Sequence, residues 1–130
     1  MWGGNVQYAT LGDLLVIILV TVIMVLSNPL RKSQEQIREN ILTLTPIGTS
    51  MEDVIKVIEI NKKWEVRYIS YEQGYLYQGA GERKTIGEKS IRVFMGDYGN
   101  IFVTSVTVFW GFHEDSKLID IWVWKDKDSL

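Results

Sequence analysis

The chain has 130 residues, which is enough for one compact domain with a short appendage but not for two full domains. Its formal net charge is −2, and acidic and basic residues are interspersed, so no broad basic surface indicates a nucleic-acid partner. The absence of cysteine excludes disulfides, thiolate catalysis, cysteine-based zinc sites and the lipidated cysteine of a bacterial lipoprotein.

The first predicted element is an apolar run, LLVIILVTVIMVL, at residues 14–26. With its flanks it reaches about 20 residues, which as a helix would match a hydrocarbon core of about 30 Å. No basic residue precedes it and no small-residue cleavage site follows, so an uncleaved anchor fits better than a secretory signal. Residues 1–30 therefore predict an N-terminal tail and a transmembrane helix. The predicted span residues are Leu14, Val16, Ile18, Val20, Ile23 and Leu26.

The predicted location is the cell membrane, crossed once. Arg31, Lys32 and Arg38 follow the apolar run, and the positive-inside tendency would keep the rest of the chain in the cytoplasm. Asn28 and Pro29 would end the membrane helix, because proline lacks a backbone donor and restricts the residue before it. The interval 31–45 predicts a stalk helix with a narrow apolar stripe, and a solvated linker is the alternative.

A small domain is predicted at residues 46–130, and it begins with a capped helix. Pro46 and Gly48 favour a turn, and Ser50 stands where an N-cap hydroxyl accepts from the backbone. Glu52 and Asp53 complement the helix dipole and would repel an anionic ligand. The cap is therefore predicted to be structural.

The remainder of the domain predicts antiparallel strands. Residues 64–71 alternate as a half-buried strand does, residues 72–90 form a glycine-rich loop or ragged hairpin, and three further strands are separated by short turns. The fold class is α+β, a capped helix on an antiparallel meander of three to four strands. In the last strand, period-2 alternation puts Leu118 on the face of Trp122 and Trp124, and Ile119 on the opposite face.

Three segments resemble a known family. GTSMEDV at 48–54, VTVFWGF at 106–112 and KLIDIWVW at 117–124 are similar to the SmpA/OmlA family of small bacterial envelope proteins. The resemblance implies a non-enzymatic domain that binds other proteins outside the cytoplasm. That side conflicts with the charge rule, so the side of the membrane stays open. This chain has an apolar run where the family has a lipidated cysteine, and the matched positions carry over no functional residue.

No motif assigns catalysis, a metal or a cofactor, and the chain is predicted not to be an enzyme. His113 lies beside Glu114 and Asp115 in a segment typical of a polar hairpin turn, where consecutive side chains diverge. GAGERK at 79–84 lacks the Gly-Lys-Ser/Thr ending of a P-loop, because Arg83 and not glycine precedes Lys84, and it lacks the third glycine of a dinucleotide fingerprint. No small-molecule substrate is identified.

The aromatic residues are the remaining candidate site. Strand aromatics most often pack in a core or on a sheet face, but Tyr and Trp also supply rigid contact area for a partner. The candidate partner-binding residues are Tyr75, Tyr77, Trp110, Trp122 and Trp124. The predicted function is a membrane-anchored binding or assembly module of the bacterial cell envelope with an unknown protein partner. The alternative is an immunity protein or enzyme inhibitor that neutralises one specific protein.

Overall fold

A computed structural model describes residues 10–13, 15–16 and 28–128, and it confirms the α+β class. Within residues 28–128, two α-helices precede the strands. The elements are a 3-10 helix (Pro29–Arg31), α1 (Gln34–Leu44), α2 (Met51–Ile60), β1 (Glu65–Ser70), β2 (Tyr75–Tyr77), β3 (Lys84–Ile86), β4 (Lys89–Tyr98), β5 (Val103–Phe112) and β6 (Leu118–Asp128).

The predicted transmembrane helix is wrong for the residues that the structure describes, since none of their helices combines the length and apolarity that a bilayer crossing requires. A span needs about 20 consecutive apolar helical residues, whereas α1 and α2 have 11 and 10 residues and bury only one side. The single-pass membrane location rested on that span and is corrected with it. Val16 is described, and 59% of its surface is exposed. The other five span residues lie outside the described ranges: Leu14, Ile18, Val20, Ile23 and Leu26.

The predicted stalk helix is part of the folded domain. α1 lies against β6 and buries Ile37 and Ile41. Its polar side chains reach backbone carbonyls of β6: Gln34 Nε2 donates to Val123 O at 3.1 Å, and Arg38 Nε donates to Ile121 O at 2.9 Å. These bonds satisfy acceptors on the outer edge of β6, which would otherwise be free to pair with another strand.

The four-stranded sheet is antiparallel with the order β1-β4-β5-β6. Strands β4, β5 and β6 form the predicted meander, and β1 pairs with β4 on its other side. One face of the sheet packs against both α-helices, because alternate residues of each strand are apolar and point that way. The buried side chains of this core include Ile91, Val93, Val106, Val108, Trp110, Phe112, Leu118, Ile121 and Val123 from the sheet, and Ile37, Ile41, Met51, Val54 and Ile58 from the helices.

Ser50 occupies the N-cap of α2, where its Oγ accepts from the Asp53 amide at 3.1 Å. The preceding residues are held by the start of β6: Gly48 N donates to Leu118 O at 2.8 Å, and Leu118 N donates to Thr49 O at 2.9 Å. The cap therefore fixes where α2 begins, and the backbone bonds fix α2 to the sheet.

Three β-bulges shift the alternation of the strands. The extra residues are Arg67 in β1, Met95 in β4 and Ile119 in β6. Because of the last bulge, the predicted faces at the start of β6 are wrong. Leu118 is buried in the core and Ile119 is exposed. A one-residue bulge reverses the faces on one side of it, so uninterrupted period-2 alternation fails there.

A buried hydrogen bond joins the two layers of the core. Trp110 and Thr45 are both fully buried, and the Trp110 indole N–H donates to Thr45 Oγ1 at 3.1 Å. The Thr45 hydroxyl in turn donates to Ile41 O at 2.9 Å, at the end of α1. This chain of bonds gives the buried indole a partner and orients the central strand relative to α1.

We expect Thr45→Val to lower the free energy of unfolding by about 1–3 kcal/mol, because the indole N–H would be buried without an acceptor. In a Trp110→Phe background no such donor exists, so the same substitution should cost much less. Urea unfolding of the four proteins of this double-mutant cycle measures the difference. Equal costs in both backgrounds would show that the bond does not stabilise the fold.

Candidate functional site

The sheet face opposite the helices carries aromatic and cationic side chains. In β5 and β6 the pairs on this face are Phe109 with Trp122 and Thr107 with Trp124. In β4, Arg92 stands opposite Phe109 on the same face. Neither α1 nor α2 covers this face, because both pack against the other one.

The β2–β3 hairpin covers one end of this face, so the glycine-rich segment 72–90 forms an ordered element. Tyr75 pairs with Ile86 and Tyr77 with Lys84. The hairpin can approach closely because β5 has a glycine beneath it: a Cβ on Gly111 would lie 2.7 Å from Tyr75 Cε2 and 3.1 Å from Ile86 Cγ2. Any larger residue at position 111 would push the hairpin away from the sheet.

Five rings from the hairpin and the sheet form one aromatic cluster, whose members are Tyr75, Tyr77, Phe109, Trp122 and Trp124. Trp122 lies at its centre. The Trp122 ring stacks on Phe109 with centroids 5.0 Å apart and on Trp124 at 6.0 Å, and Tyr77 meets it edge-on at 5.0 Å. Offset-stacked and edge-to-face pairs are favourable geometries for aromatic rings. The five rings therefore form one continuous packed surface.

A groove of about 460 Å³ runs between the hairpin and the sheet, and the aromatic cluster forms part of its wall. We call it the aromatic groove. Its lining residues are Tyr68, Gly74, Tyr75, Leu76, Gln78, Ser90, Arg92, Phe109, Trp122 and Trp124. A second depression of about 390 Å³ shares Arg92 and Trp124 with it and continues across the sheet toward Arg67 and Asp126.

Four of the five candidate partner-binding residues come together here, namely Tyr75, Tyr77, Trp122 and Trp124. Trp110 does not, and its inclusion is corrected. It pairs with Ile121 on the helix-facing side and is fully buried beside Thr45, so it cannot touch a partner of the folded protein. The error follows from adjacency in sequence, since neighbouring residues of a strand point to opposite faces.

Arg92 and Tyr68 are among the groove residues that sequence reasoning missed. The alternation of Ile91 and Val93 with Arg92 could have indicated that Arg92 lies on the outer face. Tyr68 could not be placed by alternation, because the bulge at Arg67 reverses the faces of β1. In the structure Tyr68 stands opposite Arg92 at the lip of the groove, with 55% of its surface exposed.

Two arginine side chains lie over aromatic rings of this sheet face. The Arg92 guanidinium lies over the Phe109 ring at 5.5 Å, and the Arg67 guanidinium lies over Phe94 at 4.8 Å. Burial raises the pKa of the Tyr75 phenol well above its usual range, and the Asp120 carboxylate adds to this effect while Arg38 opposes it.

The chemistry of this arrangement is that of a contact surface. Stacked rings offer apolar area, and the guanidinium groups over them offer hydrogen-bond donors. Ser90 lines the groove, but its hydroxyl donates to Gln73 O at 2.9 Å and so holds the turn between β1 and β2. His113 is in the exposed turn between β5 and β6, beside Asp115 and away from the groove. Within residues 10–13, 15–16 and 28–128, no group of three His, Cys, Asp or Glu side chains is placed to hold a metal ion.

No family model, curated protein or solved structure matches this chain. The resemblance of 48–54, 106–112 and 117–124 to the SmpA/OmlA family therefore stays a prediction.

We expect Gly111→Ala to loosen the hairpin while leaving the helix-facing core folded, because the added methyl group meets Tyr75 and Ile86. Amide hydrogen exchange should rise in residues 74–87 and stay unchanged in α1 and α2. Ser105→Ala, on the same face of β5 but outside the hairpin, is the matched control. Unchanged protection of residues 74–87 in Gly111→Ala would contradict the close approach.

Proposed function

We propose that this domain is a non-enzymatic protein-recognition module whose contact surface is the aromatic groove. The observation that carries the proposal is the aromatic cluster centred on Trp122, which lies partly exposed on the sheet face that the helices leave uncovered. Interface centres are enriched in Trp, Tyr and Arg, and these residue types contribute most of the binding energy when water is excluded around them.

The packing of the rings in the free protein lowers the free-energy cost of binding. Association costs free energy for every side chain that must be ordered, at roughly 0.5–1.5 kcal/mol each. The rings of Trp122, Phe109 and Trp124 are already held against one another in the free protein. A partner that covers them would gain apolar burial at about 25 cal/mol per Å² without paying that ordering cost again.

The shape of the surface favours a protein segment as its occupant. Pockets for small ligands enclose most of the ligand surface. The aromatic groove is instead a cleft on the sheet surface, and it shares Arg92 and Trp124 with the second depression, so the two form one elongated surface from the hairpin across β4, β5 and β6. An extended chain segment would follow that surface and place alternate side chains in it.

The biological role that we propose is a binding or assembly module of the bacterial cell envelope, and the resemblance of GTSMEDV and KLIDIWVW supports it. The immunity or inhibitor role would use the same surface. It would differ in its partner, which would be a single protein whose activity is lost on binding.

Site-specific photocrosslinking tests the proposal. A photoreactive phenylalanine analogue at Tyr68, on the lip of the groove, should give one discrete adduct in the native cell extract. The same analogue at Ile60, which is 75% exposed on α2, should not give it. Adding Trp124→Ala should reduce the adduct about fivefold or more, because truncating an interface anchor typically costs over 1 kcal/mol.

Two results would contradict recognition through the groove. The first is a set of adducts common to Tyr68 and Ile60, and the second is a Tyr68 adduct that Trp124→Ala does not diminish. Circular dichroism and the urea midpoint of Trp124→Ala confirm that the variant is folded. Loss of the captured protein's activity on binding would favour the inhibitor role over the assembly role.

A further inference from the structure

Arg92 is the charged residue of the aromatic groove, and its guanidinium has no ion-pair or hydrogen-bond partner among the residues that the structure describes. Three cations near the hairpin and the sheet face do form ion pairs: Arg38 with Asp120 at 2.7 Å, Lys84 with Glu82 at 3.5 Å and Arg67 with Glu65 at 3.6 Å. Arg92 is exposed, and no carboxylate of the described chain pairs with it.

The Arg92 guanidinium lies over an aromatic ring and makes no hydrogen bond to another described residue. Its Cζ lies 5.5 Å from the centroid of Phe109, a cation–π distance, and the group lines the groove. A guanidinium has five N–H donors in a planar fork that matches the two oxygens of a carboxylate. Contact with an aromatic face restricts this fork before a ligand arrives, so less entropy is lost on binding.

The charges around the elongated surface are asymmetric, and the asymmetry gives a ligand its direction. Arg92 and Arg67 lie at the β1–β4 side of the second depression, and Arg67 is itself over Phe94 at 4.8 Å. Asp126 lies at the β6 side of the same depression. A negatively charged group is therefore favoured over β4, and it is disfavoured beside Asp126.

We infer that the aromatic groove binds an acidic segment of a protein partner, in which an Asp or Glu carboxylate bonds the Arg92 guanidinium and a neighbouring aromatic or aliphatic side chain packs on Trp122 and Trp124. This inference rests on the proposed function and specifies its partner. Charge complementarity selects the acidic residue, and the exposed part of the aromatic cluster selects the apolar one.

A peptide-display experiment tests the inference with a defined probe. Random 12-residue peptides are selected on the immobilised full chain, and one enriched peptide is synthesised with its acidic residue intact or replaced by the amide. We expect enriched peptides to carry Asp or Glu beside Trp, Phe, Tyr, Leu or Ile. Tryptophan fluorescence of the full chain then gives the dissociation constants.

We expect Arg92→Gln to raise the dissociation constant of the acidic peptide by about 10- to 100-fold, because a hydrogen-bonded charge pair is lost. The same variant should leave the amide peptide nearly unchanged, which gives a coupled double-mutant cycle. Arg92→Lys, which keeps the charge but loses the planar fork, should fall between. Arg83→Gln is the matched control, since it removes one exposed arginine that lines neither depression.

The outcomes separate this inference from the proposed function. Peptides that lose affinity in Trp124→Ala but not in Arg92→Gln, or that are enriched in Lys and Arg, would overturn the acidic ligand and leave groove binding intact. Peptides that tolerate both variants, or the enrichment of no peptide at all, would overturn both. Urea midpoints show whether each variant is folded, and Arg92→Lys retains a readout should Arg92→Gln be unstable.

Discussion

β5 is the strand on which the rest of the structure depends, because it is buried along both faces. Val106, Val108, Trp110 and Phe112 face the helices, while Thr107, Phe109 and Gly111 are also buried on the opposite side. A strand of this kind requires a cover on each face. The two α-helices form the first cover. The second is a hairpin with three-residue strands, which is too short to span the face, and the aromatic groove lies along its margin.

This arrangement links the stability of the hairpin to recognition. One wall of the groove is the well-anchored sheet, whose register is fixed by β4, β5 and β6. The other wall is the hairpin, which is positioned by Tyr75 over Gly111 and by the Ser90–Gln73 bond. A substitution at Gly111, under the hairpin, therefore changes the shape of the groove although Gly111 is not itself a lining residue. The aromatic cluster joins the hairpin to the sheet, since Tyr75 and Tyr77 belong to the hairpin and Trp122 belongs to the sheet.

The features that the sequence predicts correctly are those with local causes. The cap at Ser50 needs only a hydroxyl followed by Glu52 and Asp53, and the meander needs only polar turns between apolar strands. The features that it misses depend on register. Three bulges exchange the faces of their strands, so alternation along the strand does not give the faces of Leu118, Ile119 and Tyr68. Trp110 is a separate error, because it lies on the face opposite the other candidate rings.

The two margins of the sheet differ in what they offer to another polypeptide. The outer carbonyls of β6 at Ile121 and Val123 accept from α1 side chains, and Leu118 is bonded to the segment before α2. β1, at the opposite margin, has only β4 beside it among the described strands, and the bulge at Arg67 interrupts it. An open-ended fibril requires two free margins on every molecule. Along residues 118–123 the outer margin of β6 is already bonded, so a further strand would pair more readily with β1 than with this part of β6.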